Sequence, residues 1–173
     1  MRRLYIDFDG VIMDTIPLLY NELEKNGVKL GEEEQIRKVF GGFDFSSIIK
    51  DKNILNDSIE CIHKLIESKR FEISFLSHVN SLSEGEVKIK YLRKHFKDNI
   101  TIIIVPKSIS KPKMVHSEGA ILVDDFSGNL KEWQEAGGIS IRFSKELESK
   151  GYKVVNRLDQ LLDMFDENGD LIC

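Results

Sequence analysis

The sequence predicts an α/β protein with a doubly wound, mainly parallel sheet, and two observations carry that prediction. The first is a set of five short apolar segments bounded by polar or glycine residues: 4–8, 71–76, 100–105, 120–123 and 139–143. The run from Ile100 to Val105 is apolar at almost every position and largely β-branched, as suits a strand covered on both faces. The second is the helical patterning between these segments, which implies right-handed βαβ units.

Residues 4–8 form the first strand of this reading. Residues 17–26 then read as a helix with Pro17 in its first turn and Gly27 as its stop. Residues 32–40 read as another, acidic at its N-terminal end. About sixty residues separate the first two strands. We assign 16–54 as a small helical cap insertion, leaving 1–15 and 55–173 as the α/β core. The insertion adjoins the C-terminal end of the first strand, where ligands bind in open α/β sheets. Residues 54–69 place Leu55, Ile59, Ile62, Leu65 and Ile66 at helical spacing, with Asp57 and Glu60 set for a capping box. Residues 86–96 repeat the pattern through Val87, Ile89, Tyr91, Leu92 and Phe96. A short helix over 129–136 stops at Gly137-Gly138, and a last one spans 157–165 through Leu158, Leu161, Leu162 and Phe165.

The 173 residues are 41% hydrophobic, enough for a sizeable core, and 31% charged. Lys plus Arg number 25 against 29 Asp plus Glu, a formal net charge of −4. That balance argues against a broad basic surface for long nucleic acid and leaves room for small phosphorylated ligands. No apolar run approaches the roughly 20 residues that span a bilayer. Asp7, Asp9 and Asp14 interrupt the apolar stretch that a secretion signal would need after Arg2-Arg3. Cys61 and Cys173 have neither metal-ligand nor redox spacing, so a reduced, cytoplasmic setting is expected.

The chemistry concentrates after the strands. Asp7-Phe8-Asp9-Gly10-Val11-Ile12-Met13-Asp14-Thr15 follows the first one directly. Two carboxylates two residues apart there both point out of the sheet's edge, and Gly10 lets the chain turn. Such a pair suits Mg²⁺, a hard cation that takes oxygen ligands, and one carboxylate can attack a phosphoryl group. Of the two plainer readings, a calcium loop and a plain acidic turn, the calcium loop is excluded, because Gly10 comes fourth instead of sixth and Val11-Ile12 follow it. Asp124-Asp125 follows the strand 120–123, where adjacent carboxylates are costly without a cation; a solvated turn before a helix is the plainer reading. Ser77 can hydrogen-bond a phosphate oxygen or cap the next helix. Lys113, with Lys111 as the alternative, can neutralise phosphate and nucleophile together.

In their order Asp-x-Asp, Ser, Lys, Asp-Asp, these residues resemble the four motifs of the haloacid-dehalogenase-like (HAD) superfamily of phosphohydrolases, over nearly the whole chain. The resemblance implies that Asp7 is the nucleophile and forms an aspartyl-phosphate. It implies that Asp9 protonates the leaving oxygen and then activates water. It further implies Mg²⁺ held by the Asp7 side chain, the Asp9 backbone carbonyl and Asp124, with Asp125 as an additional ligand or support. Ser77 and Lys113 would then hold the transferring phosphoryl group. A narrower likeness lies in Ile121-Leu122-Val123-Asp124-Asp125, Asn129-Leu130, Glu132-Trp133 and Gly137-Gly138. Together with Tyr91-Leu92-Arg93-Lys94-His95-Phe96 and Lys113-Met114-Val115, it resembles the 5'(3')-deoxyribonucleotidase (C-type 5'-nucleotidase) branch. That likeness implies a small phosphate ester, a nucleoside monophosphate, as substrate.

The segment Phe40-Gly41-Gly42-Phe43-Asp44-Phe45 either places a ring over a nucleobase or forms the insertion's own core. Two other functional classes compete with a phosphohydrolase. A receiver-like phospho-acceptor module uses similar groups, but its acidic pair precedes the acceptor aspartate; here a glycine-containing Asp-x-Asp comes first and a helical insertion follows. A non-catalytic binding protein is the other, and the intact set Asp7, Asp9, Ser77, a lysine and Asp124 argues against it.

Overall fold

The computed structural model describes residues 1–97 and 99–172, so Cys173 lies outside the described residues. The strands are β1 (Arg2–Ile6), β2 (Phe71–Val79), β3 (Thr101–Pro106), β4 (Ile121–Asp124), β5 (Ile139–Phe143) and β6 (Lys153–Val155). All pair in parallel, in the order β3-β2-β1-β4-β5-β6. The helices are α1 (Ile16–Lys25), α2 (Glu33–Gly41), α3 (Ser58–Ser68), α4 (Leu82–His95), α5 (Ser127–Glu135) and α6 (Leu161–Met164).

The central strands β1 and β4 bury side chains on both faces. The run 100–105, expected to be covered on both faces, is corrected: it forms the edge strand β3, where β-branched residues from Ile102 to Ile104 are only partly buried. Leu4 and Ile6 of β1 and Ile121 and Val123 of β4 enter one core, with residues of α1 to α4 and α6. Tyr5 and Leu122, pointing the other way, enter a second core with Leu130 and Trp133 of α5. Trp133 is fully buried, donates its indole N–H to the Ala120 carbonyl at 3.0 Å and meets the Tyr5 ring edge-on. A Cβ on Gly138 would lie 2.2 Å from that indole nitrogen, so the glycine is what lets the ring seat there.

The insertion between β1 and α3 consists of α1, α2 and two short 3₁₀ turns, Phe45–Ser47 and Asp51–Asn53. Its Leu19, Leu23, Ile36, Phe40, Phe45 and Ile49 join the same core as Leu4 and Ile6. Phe40, Phe43 and Phe45 pack on one another with ring centroids 5.0–6.2 Å apart, and Phe40 and Phe45 are each 2% exposed. Burial makes Phe40 and Phe45 packing residues, and Phe43 is partly buried against them.

Several sequence expectations are corrected. The capping box at Asp57 does not form: Asp57 has a left-handed backbone (φ 54°), and its carboxylate accepts from Arg157 at 2.7 Å. The long-range ion pair outcompetes the local cap. The expected last helix is a 3₁₀ turn, Leu158–Gln160, followed by the single turn of α6, although Leu158, Leu161 and Phe165 are buried as the spacing implied. β6 is unannounced in the sequence, being three residues long on the sheet's edge. α4 starts earlier than the apolar pattern, because Ser81 caps it by accepting from the Glu84 N–H. Among the described residues no helix is long and apolar enough to cross a membrane.

Candidate active site

The sheet register brings the two acidic motifs together. Ile6 of β1 pairs with Val123 of β4, and the Asp7 N–H donates to the Val123 carbonyl at 3.0 Å. Asp7 and Asp124 therefore emerge side by side at the carboxyl edge of the two central strands. With Asp125 they offer carboxylate oxygens within 4.8 Å of one another. Gly10 makes this approach possible. Its φ is +70°, and a Cβ there would lie 2.3 Å from Asp125 Oδ2.

The lysine among these carboxylates is Lys111, and the expectation for Lys113 is corrected on this point. Lys111 is fully buried, with Nζ 2.6 Å from Asp124 Oδ2 and 3.0 Å from Asp7 Oδ1. Lys113 is exposed. Both lie in one 3₁₀ turn, Lys111–Lys113, and at about three residues per turn, side chains two positions apart point in well-separated directions. Asp124 is held further by the Phe126 N–H and the Asn129 amide, each at 2.9 Å.

Ser77 and Asp9 form the other half of the site. Ser77 lies within β2 and caps nothing; its hydroxyl donates to the His78 carbonyl at 3.3 Å. Asp9 is not part of the three-carboxylate cluster. One oxygen accepts from the Thr15 hydroxyl at 2.6 Å and the other from the Lys88 ammonium. Lys88 was missed by sequence reasoning. Its signal was present: four residues before Leu92 and three before Tyr91, it falls on the apolar stripe of α4, and Glu84 stands four residues ahead of it.

Burial pushes the Asp7 carboxyl up to about 7 against the opposing pull of Lys111, with the Asp124 charge adding to the rise. Burial and the Asp124 charge push Asp125 up to about 8. Burial works against the Lys111 ammonium, and Asp124 and Asp7 outweigh it, holding that group above its ordinary value. Burial is likewise outweighed at Lys88, by Asp9 and Glu84. Crowded carboxylates that resist ionising make a hard-oxygen donor set, and this one fits Mg²⁺ through Asp7, Asp124 and Asp125.

The fold is a Rossmann-like parallel sheet with an Asp cluster at its carboxyl edge, and it is similar to the fold of solved HAD-superfamily hydrolases. A HAD-superfamily hydrolase of subfamily IA from Geobacter sulfurreducens aligns with a TM-score of 0.62 at 15% identity, over 95% of this chain and 100% of that one. The β-phosphoglucomutase of Clostridium difficile aligns with a TM-score of 0.60 at 19% identity, over 93% of each chain. The magnesium-bound HAD-hydrolase YfnB of Bacillus subtilis aligns with a TM-score of 0.58 at 12% identity, over 94% of this chain and 97% of that one. At sequence level, no protein-family model and no curated protein matches.

Proposed function

We propose that this protein is a Mg²⁺-dependent phosphomonoester hydrolase that works through an aspartyl-phosphate on Asp7. The observation that carries the reading is the buried Asp7–Lys111–Asp124 constellation, with Asp125 beside it and Asp9 two residues from Asp7. Mg²⁺ held by Asp7, Asp124 and Asp125 supplies charge neutralisation for an anionic ester. Asp7 Oδ attacks phosphorus, the bond to the leaving oxygen breaks, and Asp9 gives that oxygen its proton. Asp9 then takes a proton from water, the resulting hydroxide attacks phosphorus, and the acyl-phosphate bond breaks to free phosphate and the Asp7 carboxylate. Lys111 holds Asp7 in place and offsets its charge. Ser77, near the carboxyl end of the adjacent strand β2, serves as a hydroxyl partner for the phosphoryl oxygens. Residues 16–54 act as a small cap beside the site.

We assign a nucleoside monophosphate as the ester, on the resemblance of the Asp124–Gly138 segment to the deoxyribonucleotidase branch. A sugar phosphate is the second reading, favoured by the likeness to a protein named β-phosphoglucomutase. The test is phosphate release from ribo- and deoxyribonucleoside monophosphates and sugar phosphates, with Mg²⁺ and with a chelator, for wild type and Asp7→Asn. Release that needs Mg²⁺ and Asp7 and is concentrated on deoxynucleotides supports the nucleotidase. Concentration on sugar phosphates replaces it with the second reading. Full activity in a folded Asp7→Asn protein overturns the mechanism.

A further inference from the structure

We propose that Lys88, anchored by Glu84, is a positioning residue that fixes the Asp9 carboxylate for the water-activating step; this rests on the phosphohydrolase reading above. Lys88 is fully buried in the middle of α4, a position where a bare ammonium is strongly disfavoured. It persists there because acceptors surround it. Nζ donates to Asp9 Oδ2, lies 2.7 Å from Glu84 Oε1, and reaches the His78 carbonyl at 2.9 Å and Ser77 Oγ at 3.1 Å. Three N–H bonds facing four acceptors leave no donor free for a substrate. Lys88 therefore acts on chemistry only through the groups it holds.

Those groups are the ones that matter. Asp9 sits on the β1 loop and Ser77 on β2, and one ammonium ties both to α4. Glu84 is fixed in turn, since its second oxygen accepts from the Asn80 backbone N–H at 2.7 Å and the Asn80 amide at 2.9 Å. The chain of contacts runs from the capped start of α4 through Glu84 and Lys88 to Asp9. Thr15 closes it on the other side, donating to Asp9 Oδ1 at 2.6 Å. With both oxygens held, the Asp9 carboxyl has a fixed orientation. The second step depends on that orientation, when water must lose a proton to attack the aspartyl-phosphate.

The test uses p-nitrophenyl phosphate, whose leaving group departs with little need of an acid, so that the first step is spared and the second exposed. In Lys88→Met, the burst of p-nitrophenol, one per active site, slows far less than the steady state, its small loss coming from the freed Ser77 hydroxyl. The steady-state kcat falls about 100-fold, and KM falls with it because phosphoenzyme accumulates. Glu84→Gln keeps the shape of the anchor and guards against a Lys88 variant that fails to fold; its steady-state rate drops about 10-fold with the burst preserved. A folded Lys88→Met protein with unchanged steady-state turnover overturns the proposal. So does one in which burst and steady state fall equally, since that is the mark of general structural damage. Wild-type release that is independent of Asp7 overturns the phosphohydrolase reading itself, and is told apart by the Asp7→Asn control.

Discussion

Replacing Lys111 with methionine removes a buried charge while keeping an unbranched side chain of similar volume. Lys111 Nζ lies 2.6 Å from Asp124 and 3.0 Å from Asp7, and both Lys111 and Asp124 are fully buried. Breaking a buried pair by removing one partner costs about 3–5 kcal/mol, because the remaining charge is left uncompensated. At about 2–4 °C per kcal/mol for a chain of this length, Tm falls by roughly 6–20 °C at pH 8. The loss depends on pH in a defined direction. The folded Asp7 carboxyl stands at about 7 against an ordinary 3.8, with Lys111 opposing the rise, so removing Lys111 lifts it further. A carboxyl raised on folding stabilises the native state at acid pH and loses that contribution as pH climbs through the folded value. The deficit of Lys111→Met is therefore smaller at pH 5 than at pH 8. Urea unfolding in Mg²⁺-free buffer at both pH values measures it, with exposed Lys113→Met as the control, expected within about 0.5 kcal/mol of wild type. Equal losses in the two variants, or a Lys111 deficit that grows toward acid pH, would refute this account of the site.

Three further outcomes follow from the same geometry. Gly10→Ala forces a Cβ to within 2.3 Å of Asp125 Oδ2 at a φ of +70°; Mg²⁺ affinity by calorimetry should drop, with about 1–2 kcal/mol of backbone strain in the unfolding free energy. Asp7 and Asp125 are both raised above 3.8, to about 7 and about 8. Metal-free protein should thus lose thermal stability as pH rises through 7 and 8, and added Mg²⁺ should restore most at the alkaline end. Trp133→Ala empties a fully buried site and leaves the Ala120 carbonyl without its indole donor; about 3–5 kcal/mol should be lost in chemical denaturation. The turnover of the folded fraction should stay near wild type, since Trp133 lies in the α5-side core.

Much of this molecule follows from local pattern alone. The β-branched run at Ile100 to Val105, the stripe of α3 and the glycine-turned Asp7-x-Asp9 each announce an element or a group, because periodicity and turn chemistry are local properties. The alternation of strand and helix then dictates a parallel sheet, and a parallel sheet places Asp7 and Asp124 at one edge. Long-range competition decided the rest. Asp57 has the sequence of a helix cap and gives its carboxylate to Arg157 instead, a hundred residues away. β6 has too few residues to show a period and exists because β5 offers it an edge. The choice between Lys111 and Lys113 depends on how a 3₁₀ turn faces the sheet, which spacing along the chain does not encode. Lys88 reads as an ordinary helical charge until α4 packs over the β1 loop. Only then do Asp9, Ser77 and the His78 carbonyl join the helical neighbour Glu84 to make its burial stable. The sequence by itself determined which chemical groups are present and which elements carry them. Tertiary structure decided which charges are buried together, because electrostatic pairing and desolvation act through space between residues far apart in the chain.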